Sequence, residues 1–286
     1  MSASADRDHD PFTHATVAVD GERLHVAQRD GRGTPLLFCN DFAANLEILG
    51  DVARHLEQPV IAFDPPGVGA SEDVHRMRRM AALAHLVVAM LDRVGVDTAV
   101  DVLGIGWGGL LAQQIARQAP DRVRRLVLAA TSSGQLMFPG RFNSLWRLAH
   151  PKGLTRIAPD AARARSVFGG RRTDECRAIA RAMGRATPPT RRGHAAQLYA
   201  LAGYSSLPWL HRLGVPTLVL AGDDDAVVPM VNARVLALLL PRARLTVIRG
   251  GGHWFVLERT DEVVRELDGF LNARHAPRPP AEDNTL

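Results

Sequence analysis

Three short stretches of the sequence carry residue types that could act together on an acyl group. Leu103-Gly104-Ile105-Gly106-Trp107-Gly108-Gly109 lies between an apolar run (Ala99, Val100, Val102, Leu103) and a run of helical spacing (Leu110, Leu111, Ala112, Ile115, Ala116). A strand, a glycine-studded turn and a helix are the setting of the G-x-S-x-G elbow, which lifts a nucleophile above a sheet. Glycines 104 and 108 stand where that motif wants them, but the centre, which should be Ser, Cys or Asp, is Gly106. Further on, Leu218-Val219-Leu220-Ala221-Gly222-Asp223-Asp224-Asp225 puts carboxylates after a late strand, and Gly250-Gly251-Gly252-His253-Trp254 puts an imidazole after the last one. Acid then histidine, behind an earlier nucleophile position, is the chain order of acyl-transfer machinery on such a scaffold.

Asp225, deepest in its loop, is the candidate that would hold the His253 tautomer and stabilise its imidazolium. Asp223 and Asp224 read as caps of the following helix. The oxyanion would need two backbone N–H groups, one from Trp107 and one from Phe42 in the loop Asn40-Asp41-Phe42. These survive the loss of a serine at 106. Asp41, just before the second donor, would oppose a developing oxyanion if its carboxylate pointed inward. Without a nucleophile, serine-type catalysis loses roughly 10⁶-fold in kcat, leaving ~10³–10⁴ over water. Space above Gly106 could then hold a water within reach of His253. General-base assistance by His253 and Asp225 would be worth about 10²–10⁴-fold.

The elements expected to position these residues alternate. Strands are predicted at 16–19, 24–28, 36–39, 60–63, 99–103, 126–130, 217–221 and 244–248, with helices to about 55, over 77–94, after the elbow, and near 231–239 and 261–272. Such alternation argues a mostly parallel sheet with helices on both faces. Between 134 and 213 the pattern becomes helical and aromatic, with Phe138, Phe142, Trp146, Phe168, Tyr199, Tyr204 and Trp209. The expected layout is a flexible lead over 1–14, a core at 15–133 and 214–274, a helical cap at 134–213 and a disordered tail at 275–286. Phe138, Trp146, Trp209 and Trp254, with Asp41, are the candidates to line an apolar substrate pocket.

Composition narrows the partners. The chain has 286 residues, a formal net charge of +5, 46% hydrophobic and 23% charged residues, which suits a globular chain able to bury a large core. Its arginines are scattered and not interleaved with aromatics, so nucleic acid is not expected as a partner. Cys39 and Cys176 suggest neither a disulfide framework nor a zinc site, and no metal is expected. The start lacks a basic region followed by an apolar one, and no apolar run approaches the ~18 residues of a membrane span. A cytoplasmic location is the expectation.

On these residues the chain resembles the α/β-hydrolases, and among them most the intracellular medium-chain-length poly(3-hydroxyalkanoate) depolymerases. The resemblance runs over about residues 15–272. It is carried by Ala43-Ala44-Asn45-Leu46-Glu47, Phe63-Asp64-Pro65-Pro66-Gly67-Val68-Gly69, Gly106-Trp107-Gly108-Gly109-Leu110-Leu111-Ala112-Gln113-Gln114, Leu126-Val127-Leu128-Ala129-Ala130-Thr131 and the run 218–225. It implies an α/β-hydrolase fold with a helical cap over an apolar acyl channel. It also implies a cofactor-free hydrolase of medium-chain acyl esters, small or polymeric, working through serine, aspartate and histidine. The chain departs from that pattern at Gly106, where the family has its serine, and at Asp41, where it usually has glycine. Three readings follow: an ester hydrolase whose position 106 is altered, by nature or design; a cofactor-free lyase, cyclase or direct-water hydrolase using His253 and Asp225; or an inactive homologue that binds acyl chains or polyester. Keeping a buried charged pair disfavours the third.

Overall fold

The computed structural model describes residues 11–150, 161–171, 177, 179–183 and 186–273. Cys176 and the stretches 1–10 and 274–286 lie outside them.

Eight strands form one sheet in the order β1-β2-β4-β3-β5-β6-β7-β8. They are β1 (Thr13–Val19), β2 (Glu22–Arg29), β3 (Leu36–Cys39), β4 (Val60–Phe63), β5 (Val100–Ile105), β6 (Val123–Ala129), β7 (Thr217–Gly222) and β8 (Ala243–Ile248). From β4 to β8 every neighbouring pair is parallel, while β1 and β2 add an antiparallel edge. β1 begins at Thr13, inside the expected flexible lead, because its seven residues pair in register with β2 across the Asp20-Gly21 turn. The strand side chains alternate between two cores. Leu37, Cys39, Val100 and Val102 face one, and Leu36, Phe38, Leu103 and Ile105 face the other. A sheet buried on both faces explains why these strands read as continuous apolar runs.

Helices cover both faces: α1 (Leu46–Ala53), α2 (Met80–Arg93), α3 (Trp107–Gln118) and, near the C-terminal end of the described chain, α7 (Met230–Leu239), α8 (Phe255–Glu258) and α9 (Thr260–Leu271). Buried Leu83, Leu86, Val87 and Met90 of α2 pack on one core, and Val263, Leu267, Phe270 and Leu271 of α9 on the other. This is an α/β-hydrolase fold.

After β6 the chain leaves the sheet for α4 (Phe142–Ala149), α5 (Ala161–Phe168) and α6 (Arg191–Leu201) before returning at β7. A bridge between Gly134 and Ser205 ties the base of this excursion. The α6 helix opens on a Thr190 cap whose hydroxyl accepts the Gly193 N–H at 2.8 Å, and the Thr190 N–H donates to the Gly67 carbonyl at 2.9 Å. The helix start is thus fastened to the loop after β4.

Strand β5 must run straight into α3 within a single residue, so the two elements nearly touch. A methyl group on Gly104 would lie 2.5 Å from the Gly108 carbonyl oxygen and 2.6 Å from the Gly109 Cα. Gly104→Ala should therefore lower the unfolding free energy by about 1–3 kcal/mol, as overpacking does where backbone cannot give way. Chemical denaturation measures it; an unchanged midpoint would show that the turn is looser than described.

Candidate active site

Four strand ends deliver the site. β3 leads into Asp41, β5 into Gly106, β7 into Asp225 and β8 into His253, all at the carboxyl edge where parallel sheets place ligands. Gly106 has φ 50° and ψ −115°, a conformation that side-chain-bearing residues adopt only under strain. Its backbone is locked from both sides. The Gly106 N–H donates to the Ala129 carbonyl at 3.0 Å, and the Thr131 hydroxyl donates to the Gly106 carbonyl at 2.6 Å. This left-handed turn is thus held firmly at a residue with no side chain.

The place above it is filled. Asp41 turns its carboxylate inward, and Oδ1 accepts the Trp107 N–H at 2.8 Å while Oδ2 lies 3.0 Å from His253 Nε2. A Cβ on residue 106 would sit 1.8 Å from Asp41 Oδ1. The water expected above Gly106 has no room there, because a carboxylate occupies the site. The Trp107 donor expected to serve an oxyanion is already spent on a negative charge. Asp41 does not carry the left-handed backbone of its loop; Ala43 does, with φ 57°. The loop is held by Asn40, whose Oδ1 accepts the Asp41 N–H at 3.1 Å and whose Nδ2 donates to the Asn45 carbonyl.

On the other side of the imidazole, His253 Nδ1 donates to Asp225 Oδ2 at 2.8 Å. Asp225 Oδ1 accepts the N–H groups of Val227 and Val228, both at 2.8 Å, so this carboxylate is oriented at both oxygens. His253 is 1% exposed, Asp41 6% and Asp225 9%. Asp223 and Asp224 do not cap the next helix. Asp223 Oδ1 accepts the Gly250 N–H, and Asp224 Oδ2 accepts the Gly170 N–H at 3.1 Å, which joins neighbouring loops around the histidine.

Burial alone would push the His253 pKa down, because charge is costly away from water. The carboxylates of Asp225 and Asp41, one on each ring nitrogen, outweigh it and raise the pKa to about 10. The two flanking carboxylates thus favour the protonated ring over the neutral one. A ring held in that form would be a proton donor, where the residues alone suggested a general base.

An apolar cavity of about 360 Å³ opens above this array, within the usual range for small-molecule sites. Asp41, Gly106, Trp107 and His253 form its floor, and Met137, Leu145, Leu148, Leu198, Leu201 and Val228 contribute walls. Phe42 also lines it, its ring edge-on to His194. Several expected wall residues are elsewhere. Phe138 and Trp146 are 56% and 67% exposed, with Trp146 stacked on Phe142 on the outer face of α4. Trp209 packs in the core beneath the Arg117 guanidinium and lines a second groove with Ala116, Val123 and Leu213. Trp254 is buried in the cluster between α5 and the loop after β7. The spacing of aromatics identified apolar surface but not its direction.

Two contributors were not singled out for the site by their sequence context. The Gln197 side-chain oxygen accepts the Ala43 N–H at 2.9 Å and the Gln197 backbone carbonyl accepts the Trp107 indole N–H at 3.2 Å, so one residue of α6 holds both the Asp41 loop and the elbow. The Phe168 carbonyl accepts the His253 N–H at 2.7 Å, and its ring stacks on the imidazole with centroids 6.3 Å apart. Among the described residues, no group of three or more His, Cys, Asp and Glu side chains is arranged to hold a metal, and no helix is long and apolar enough to cross a membrane.

The chain belongs to the alpha/beta hydrolase family, whose model matches residues 8–266. It is 37% identical to a poly(3-hydroxyalkanoate) depolymerase of Ectopseudomonas oleovorans over 91% of this chain and 93% of that protein. It is 32% identical to part of the polyketide synthase ThaQ of Burkholderia thailandensis, matching 90% of this chain and only 13% of that much longer protein. An alpha/beta hydrolase fold protein from Chitinophaga pinensis superposes with a TM-score of 0.76 at 20% identity, covering 93% of this chain and 100% of that one.

Two outcomes follow from this geometry. Because the folded-state pKa of His253 lies above its unfolded value near 6.5, the stabilisation from its charge is complete below that pH and is lost as pH rises through about 10. Thermal unfolding should show a falling Tm between pH 7 and 10, with a smaller fall in His253→Gln; equal falls would contradict the charged array. Second, Gly106→Ser alone should yield no ester hydrolysis, since its Cβ collides with Asp41. Asp41→Gly with Gly106→Ser should hydrolyse p-nitrophenyl esters of medium-chain acids several orders of magnitude faster than either single variant. Equal gains from Gly106→Ser alone would show that Asp41 moves aside freely.

Proposed function

We propose that this chain is an enzyme acting on carbonyl compounds with an apolar, medium-length acyl chain, through acid–base chemistry without a covalent serine intermediate. The observation that carries it is the buried Asp225–His253 pair opening onto an apolar cavity whose floor is Gly106. Apolar walls suit an acyl chain, and the polar floor suits its carbonyl end. His253 would be the proton donor, and Asp225 would orient and stabilise its imidazolium. The relation to a depolymerase supports an acyl ester, small or polymeric, as the compound from which such a substrate would derive.

A second reading, ester hydrolysis as in that depolymerase, is favoured by the 37% identity over nearly the whole of both chains. Against it stands the carboxylate on the Trp107 N–H, which resists the negative oxygen that carbonyl addition creates. Loss of catalysis without loss of acyl binding, the binding-protein reading, would leave the buried ion array without a task.

Medium-chain acyl esters and thioesters should bind in calorimetry and be converted without an initial burst. His253→Gln should slow that conversion by about 10²–10⁴-fold while binding persists. A burst of product in the wild type would favour covalent hydrolysis. Binding with conversion insensitive to His253→Gln would favour a binding protein.

A further inference from the structure

We infer that Asp41 is a catalytic base of this enzyme, taking a proton from the carbon next to the carbonyl of an acyl substrate while His253 protonates the carbonyl oxygen. This rests on the acyl-chain reading above and narrows its chemistry from carbonyl compounds in general to those with an α-hydrogen.

The arrangement at two positions motivates it. Position 106 carries no side chain, and the Asp41 carboxylate from another loop stands above it, 1.8 Å from where a Cβ would be. Both of its oxygens are oriented, Oδ1 by the Trp107 N–H and Oδ2 by His253 Nε2. A carboxylate oxygen retains lone pairs beyond one hydrogen bond, so Asp41 can still accept a proton from a ligand in the cavity it lines. Addition to a carbonyl would build a second negative oxygen beside the first. Proton transfer from carbon does the reverse, because Asp41 becomes neutral as charge moves onto the substrate.

The step balances within the site. The Cα–H bond breaks and its proton goes to an Asp41 oxygen. The electron pair forms the C=C bond of an enol as the carbonyl π pair moves to oxygen. That oxygen takes the proton from His253 Nε2. Reversal of both transfers returns the carbonyl compound with its configuration kept, its α-hydrogen exchanged where the Asp41 proton has equilibrated with solvent, and restores the imidazolium. Asp225, hydrogen-bonded to Nδ1, keeps the ring oriented throughout. Donor and acceptor stand 3.0 Å apart, a spacing suited to neighbouring atoms of one small functional group. The chain of the substrate would lie against Met137, Leu145, Leu148 and Leu201.

The test is deuterium incorporation at Cα of a medium-chain acyl N-acetylcysteamine thioester in D₂O, followed by proton NMR with wild type, Asp41→Asn, Asp41→Glu and His253→Gln. Wild type should exchange the α-hydrogen. Asp41→Asn, close in shape and uncharged, should exchange at least ~10²-fold more slowly with unchanged calorimetric affinity, and Asp41→Glu should recover part of the rate. Exchange by Asp41→Asn at the wild-type rate would overturn the assignment, as would a wild type that binds the thioester without exchanging it. An acyl adduct on Asp41 in intact-protein mass spectrometry would show a nucleophile instead of a base. Hydrolysis with no exchange would sink the base and leave the acyl-substrate reading standing, whereas absence of binding would sink both.

Discussion

The site depends on one contact: the Asp41 carboxylate lies where a side chain at position 106 would be, and it bonds both the Trp107 N–H and the His253 imidazole. Glycine at 106 and aspartate at 41 are therefore one feature. A β-carbon at 106 would displace the carboxylate from its present position. Two buried carboxylates would repel and be costly to desolvate. A protonated ring between them would offset both penalties, and the two carboxylates favour that form in turn. The result is an imidazole held between two buried carboxylates.

The surrounding fold supplies rigidity to that array. Four strand ends converge on it, so the loops bearing Asp41, Gly106, Asp225 and His253 start from hydrogen-bonded backbone whose register is set by the sheet. The helices between β6 and β7 complete the enclosure. Gln197 fastens the Asp41 loop and the elbow together, and Phe168 holds the histidine backbone from the opposite side. Movement of these helices would alter cavity and charge array together. The cavity above is mostly apolar, with its charged groups, Asp41 and His253, on the floor.

The α/β core was legible in the residues because its signals are local. Doubly buried strands such as Leu36–Cys39 and Val60–Phe63 are continuous apolar runs, and Gly104 and Gly108 mark a strand-to-helix turn too tight for side chains. The acid and histidine were legible from chain order, and the structure brings Asp225 and His253 to 2.8 Å. What the residues did not disclose is direction. Phe138 and Trp146 were expected inside because they are aromatic, yet α4 turns them outward and presents Leu145 and Leu148 to the cavity. Asp41 was visible as an oddity, but its inward aim depends on Asn40, Ala43 and the distant Gln197, contacts that no local pattern encodes.

The charge state of His253 is the quantity on which the account turns. Nitrogen-15 NMR of the histidine ring at pH 7.5 reports it directly. The account predicts that both ring nitrogens of His253 carry protons at that pH, and that Asp41→Asn converts the ring toward the neutral form. A neutral wild-type imidazole with an unprotonated Nε2 would contradict it, because Asp41 and His253 could not then be the base and the acid of one site.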